Sequence, residues 1–66
     1  MIKIIVDVKK INHELMMQGI TYGELSKITG ISRTTIFRVT KKGNRVKPAT
    51  VGKIARALNV KPEDLI

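Results

Sequence analysis

An all-α fold of short helices is predicted by three observations. Helix stop and start signals stand two residues apart, at Gly30 and Ser32. Apolar residues recur at helical spacing between such signals along the chain. And 66 residues suffice for one small core, read as a single domain over 1–66 with an arm at 1–7.

The arm holds Ile2 to Val6 (IKIIV), β-branched and almost continuously apolar. It is suited to a short β-strand, or to an extended segment packed on the helices. As a strand it needs a partner for its backbone, either the same arm of a second copy or another part of its own chain. Asp7 is a candidate N-cap for a first helix at about Val8–Gln18, with Val8, Ile11, Leu15 and Met16 on its apolar face. Met16 and Met17 are expected as core filler and rim. Gly19 ends this helix.

Thr21 opens the second helix, and Glu24 three residues later completes a capping-box spacing. That helix runs to about Thr29. Gly30 suits a left-handed C-cap and Ser32 the next N-cap, so the third helix, Arg33 to about Lys41, must cross the second. Residues 21–40 therefore form a helix-turn-helix. Leu25, Ile28, Ile31, Ile36 and Val39 are placed on its inner face, and Ser26 is small where the helices approach. After a polar loop the fourth helix starts near Pro48, since proline suits a first turn. Val51, Ile54, Ala55 and Leu58 form its apolar face, and Asn59 ends it. Pro62-Glu63-Asp64 opens a last short helical turn, giving five helical elements, with Leu65 and Ile66 available to the core or a partner.

The outer face of the third helix carries Arg33, Thr34, Phe37 and Arg38. Arginine matches guanine O6 and N7, and Thr or Phe can meet the thymine methyl. These four are the candidate base contacts. Tyr22 lies at the N-terminus of the second helix, where free N–H groups favour a phosphate, and its hydroxyl is a candidate second bond to it. The loop after the third helix supplies Lys41, Lys42, Asn44, Arg45 and Lys47 as phosphate candidates. Thr21, Ser32 and Thr35 join them as hydroxyl donors near the helix starts.

Charge supports that assignment. The net charge is +8, and no acidic residue lies between Glu24 and Glu63. A field of one sign across the middle of a small domain attracts a polyanion. The sequence has one Phe, one Tyr and no Trp, against the aromatic-rich pattern of a membrane-surface helix. No apolar run spans a bilayer and no signal-peptide pattern is present, so the expected location is the cytoplasm. Cysteine is absent and His13 stands alone, so neither a disulfide nor a Cys/His metal site is expected. Asp7, Glu14, Glu24, Glu63 and Asp64 make no paired-carboxylate pattern, and an enzyme is not expected. No cofactor and no small-molecule ligand are expected.

From about Val8 to Ile66 the chain resembles the lambda-repressor-like, Cro-type (Xre) helix-turn-helix family. The resemblance lies in Thr21-x-x-Glu24-Leu25-Ser26, in Thr29-Gly30-Ile31-Ser32-Arg33-x-Thr35-Ile36-x-Arg38-Val39, and in the tail from Lys53 to Leu65. The middle motif alone is also similar to the lactose-repressor headpiece, and the tail separates the two. The resemblance implies a compact five-helix domain that binds double-stranded operator DNA as a two-fold dimer. It implies base contacts at Arg33, Thr34 and Arg38. The family often has Gln where this chain has Tyr22 and a polar residue where it has Phe37. The expected function is a sequence-specific transcriptional regulator, a repressor on a palindromic operator. The alternative is an antitoxin or a phage or mobile-element accessory protein that acts through a protein partner, suggested by the apolar arm.

Overall fold

The computed structural model describes residues 2–43 and 45–66. Four α-helices follow one another: α1 (Val8–Gln18), α2 (Tyr22–Thr29), α3 (Arg33–Lys41) and α4 (Pro48–Ala57). The fifth expected helix is instead a 3-10 turn, Pro62–Leu65. It is four residues long, and a segment that short closes i→i+3 bonds more readily than a full α-turn. Among the described residues no helix is long and apolar enough to cross a membrane.

The helix bounds follow from cap chemistry. The Asp7 carboxylate accepts from the Lys9 and Lys10 amides, so α1 begins at Val8. At the start of α2 the Thr21 hydroxyl accepts from Glu24 N–H at 3.1 Å, and Glu24 Oε1 accepts from Thr21 N–H at 2.9 Å. The capping box is thus closed in both directions. Gly30, at φ 72°, ends α2 and donates to the Ser26 carbonyl at 2.9 Å. The Ser26 hydroxyl donates to the Ile31 carbonyl, and Ile31 N–H donates to Thr29 Oγ1. Ser26 therefore closes the turn with a hydrogen bond as well as leaving room for it. The Ser32 hydroxyl accepts from Thr35 N–H and opens α3.

The core is formed by Ile11 and Leu15 of α1, Leu25 of α2, Ile36 and Val39 of α3, and Val51, Ile54 and Ala55 of α4, with Val6, Val46 and Leu58 from the connections and Leu65 from the 3-10 turn. Ile31 is half-buried against it. Ile28 is 59 % exposed, contrary to its assignment to the inner face. The covered stripe of α2 is Tyr22, Leu25, Ser26 and Thr29, the i, i+3, i+4, i+7 set, and Ile28 falls off it by roughly one residue's 100° rotation. Two of those four are polar because they close the turn. Met16 and Met17 are likewise exposed, so neither fills the core.

The arm pairs with its own chain. Ile4 and Val46 form a lone antiparallel bridge, with N–H···O distances of 2.8 and 2.7 Å. Val6 N–H then donates to the Gly43 carbonyl and Asp7 N–H to the Leu65 carbonyl. Val6 thereby reaches the core as a wedge between the loop after α3 and the chain's last turn. Gly43 permits this in two ways. Its φ is 68°, and a Cβ there would lie 2.5 Å from Val8 Cγ1 and 2.9 Å from the Val6 carbonyl oxygen. At Gly30, by contrast, an added Cβ meets nothing within 4 Å. Gly30→Ala is accordingly expected to cost only the left-handed penalty, about 1–2 kcal/mol. Gly43→Ala adds overpacking to that penalty and is expected to cost about 2–5 kcal/mol. Chemical denaturation of the two variants beside the parent checks the ranking.

Candidate nucleic-acid interface

The expected base contacts share one surface. Arg33, Thr34, Phe37 and Arg38 are all exposed on α3. At about 100° per residue they lie, with Lys41, within an arc of roughly 140°. Ile36, Val39 and Thr40 occupy the opposite, buried side. The Thr40 hydroxyl is satisfied within α3 by donating to the Ile36 carbonyl at 2.8 Å.

One edge of this arc faces the N-terminus of α2. The Arg33 guanidinium lies over Gly23: a Cβ on Gly23 would be 3.1 Å from Arg33 Nη2. A glycine in the first turn of α2, locally unfavourable for a helix, leaves room for that side chain. Next to it the Tyr22 and Phe37 rings meet edge to face, with centroids 6.1 Å apart and planes at 89°. Lys41 Nζ stands 5.8 Å from the Tyr22 centroid and 5.4 Å from that of Phe37, within cation–π range.

Tyr22 itself is placed differently from expectation. It is half-buried, and its hydroxyl donates to Asn12 Oδ1 at 2.6 Å. Its proton is therefore committed inside the protein, where the sequence reading aims it at a phosphate. The Asn12 amide nitrogen donates to the Val8 carbonyl at 2.8 Å and to the Thr40 carbonyl at 2.9 Å. Asn12 thus joins α1, α2 and α3, a role the sequence reading misses. Its signal is a poor helix former in the middle of α1, one residue after a core isoleucine. Among the described residues every buried side-chain nitrogen or oxygen has a partner.

The other edge of the arc opens into a cationic groove of about 570 Å³. Its walls include Thr35 and Arg38 of α3, Arg45 and Lys47 of the following loop, and Thr50 and Lys53 of α4. Lys3 of the arm closes it, brought there by the Ile4–Val46 bridge. Sequence reasoning reaches Arg45 and Lys47 but misses Lys3 and Lys53, since only the fold brings them beside α3. Lys42 is exposed at the C-terminal cap of α3 outside the groove lining. Asn44 lies outside the described residues. The Thr21 and Ser32 hydroxyls both serve as caps, and Ser32 Oγ also donates to Thr35 Oγ1 at 3.0 Å.

Comparison with known proteins bears on the family and the fold. The helix-turn-helix family matches residues 14–65. No curated protein matches the chain. Among solved structures, the restriction-modification controller protein C.AhdI from Aeromonas hydrophila is 20% identical, with a TM-score of 0.82, and the likeness covers 89% of each chain. A mutant hydroxyethylphosphonate dioxygenase is 22% identical with a TM-score of 0.82, over 96% of this chain. The chain spans only 14% of that dioxygenase. At such identities the likeness is one of fold.

The capping box carries a pH signature. The Thr21 backbone N–H, then the Thr21 hydroxyl and more weakly Lys27, hold Glu24 below its ordinary 4.5. A carboxyl lowered in the folded state stabilises it above the unfolded value and ceases to do so as pH falls through the folded one. Melting temperatures of the parent should therefore drop on acidification below about pH 4.5 more steeply than those of Glu24→Gln. Glutamine keeps the capping geometry without titrating. Parallel melting curves from pH 6 to about pH 3 check the difference.

Proposed function

This chain belongs to the Cro/Xre-type helix-turn-helix family, and on that premise we propose that it is a DNA-binding transcriptional regulator, a repressor that holds a palindromic operator as a two-fold dimer in the cytoplasm. The observation that carries this reading is the exposed arc of α3, where Arg33, Thr34 and Arg38 stand together on one side with cations flanking them. In this reading α3 enters the major groove. Arg33 and Arg38 donate to guanine edges, while Thr34 and Phe37 meet apolar or hydroxyl-accepting edges. The groove cations Lys3, Arg45, Lys47 and Lys53 lie along one strand's backbone. Thr21, Ser32, Thr35, Lys41 and Lys42 serve the backbone on either side of α3. Neutralised phosphates release counterions, which supplies much of the affinity.

The dimensions support two copies per site. The longest extent is 32 Å, short of the roughly 34–36 Å that separates successive major-groove faces. One copy therefore engages one half-site. The 66 residues act as one domain, bound over a promoter to exclude polymerase, with no cofactor and no catalytic step.

A second reading is kept by one observation. Ile2 and Ile5 of the arm are 76% and 74% exposed, more apolar surface than DNA requires, which favours a protein partner. Selection of bound sites from random duplexes at stated salt separates the two. A recovered palindrome supports the repressor. A stoichiometric protein partner without salt-sensitive duplex binding supports the alternative.

Within the repressor reading, Arg38→Ala is expected to cost about 1–3 kcal/mol on the selected site and to relax base preference at one position. Lys42→Ala is expected to weaken all duplexes alike and to reduce the salt slope by about 0.9. Titrations of both variants on specific and scrambled duplexes at several salt concentrations check this contrast.

A further inference from the structure

We propose that Phe37 reads a thymine 5-methyl group and that Tyr22 acts as the positioning residue that holds its ring for that contact; the inference rests on α3 entering the major groove. Phe37 is 56 % exposed and lies on the arc shared by Arg33, Thr34 and Arg38. A ring so exposed is ordinarily free to change rotamer. Here Tyr22 meets it edge to face at 6.1 Å, and Lys41 Nζ stands 5.4 Å from its centroid.

Tyr22 is itself held at its far end. Its hydroxyl donates to Asn12 at 2.6 Å, and that amide is fixed by the Val8 and Thr40 carbonyls. A continuous line thus runs from the inner side of α1 through two rings to the surface of α3. Its outer end is hydrocarbon. The thymine methyl is the largest apolar group on the major-groove edges of the bases, so a fixed phenyl ring favours it. The same geometry takes Tyr22 out of the set of phosphate donors and gives it an indirect part in specificity.

The experiment replaces each thymine of the selected duplex, one position at a time, with deoxyuridine, which lacks only the methyl. The parent is expected to lose about fourfold in affinity at one position per half-site, the worth of one buried methyl-sized group. Phe37→Ala should show no loss on the same replacement. Tyr22→Leu, shown to be folded by its melting curve, should lose the discrimination while keeping its Arg38-dependent base preference. Tyr22→Phe keeps the ring contact but frees the ring from Asn12, so its discrimination should fall between those of the parent and Tyr22→Leu, with a lower melting temperature because Asn12 Oδ1 loses its donor.

Selective binding by the parent with indifference to deoxyuridine at every position would overturn the methyl contact while leaving the DNA reading intact. Undiminished discrimination in Tyr22→Leu would overturn the positioning role. So would a uniform loss across all duplexes in Tyr22→Phe with Tyr22→Leu no worse, because that pattern returns the hydroxyl to a phosphate. Absence of salt-sensitive duplex binding in the parent would remove both the inference and the reading beneath it.

Discussion

Three helices meet at a single side-chain amide. Asn12 uses both N–H groups on carbonyls of α1 and α3 and its oxygen on the Tyr22 hydroxyl of α2. The Thr40 carbonyl it satisfies belongs to the last turn of α3, where helix carbonyls have no partner further along the helix. An apolar residue of similar size would leave that carbonyl and the Tyr22 hydroxyl to find other partners, at roughly 1–3 kcal/mol for each group left unsatisfied in the interior. Hydrophobic burial is not directional, and the leucines and isoleucines of the core alone would tolerate small slides of one helix along another. The amide is directional, and it fixes the angle at which α3 projects from the rest.

That constraint explains how so small a body presents a defined surface. α2 has only eight residues and α3 nine, lengths at which an isolated helix is marginal. Their order comes from the caps at each end and from the closed turn between them. Ser26, Thr29 and Gly30 spend their polar groups on that turn, so one side of α2 is partly polar even where it is covered. The arc of α3 is then free of structural duty except at Arg33, Phe37 and Lys41, which lean on α2 through Gly23 and Tyr22.

The contrast between what was and was not legible in the sequence follows the range of the interactions. Asp7, Thr21 with Glu24, Gly30, Ser32 and Pro48 act on backbone within a few residues of themselves, and each helix begins where they indicate. The outer face of α3 was legible for the same reason, since periodicity within one helix suffices to separate Arg33, Thr34 and Arg38 from Ile36 and Val39. Ile28 was misplaced because spacing shows which residues share a face but not that Ser26 and Thr29 would claim the covered one. The partner of the arm, the anchoring of Tyr22 by Asn12, the close approach at Gly43 and the arrival of Lys3 and Lys53 beside α3 depend on segments far apart in the chain. Composition and local spacing do not identify these partners; only the unusual place of Asn12 within α1 hints at one of them.

The threading of the arm has a consequence for the order of folding. Asp7 N–H bonds to the Leu65 carbonyl, and Val6 N–H to that of Gly43. The arm thus finds its hydrogen-bond partners far along the chain, in the loop after α3 and in the last helical turn. Until those two segments are in place, Ile2 to Val6 is a β-branched apolar stretch with open backbone edges. Contacts so distant in sequence carry a loop-closure cost that the α2–α3 pair does not, so the arm seats after the helices it rests on.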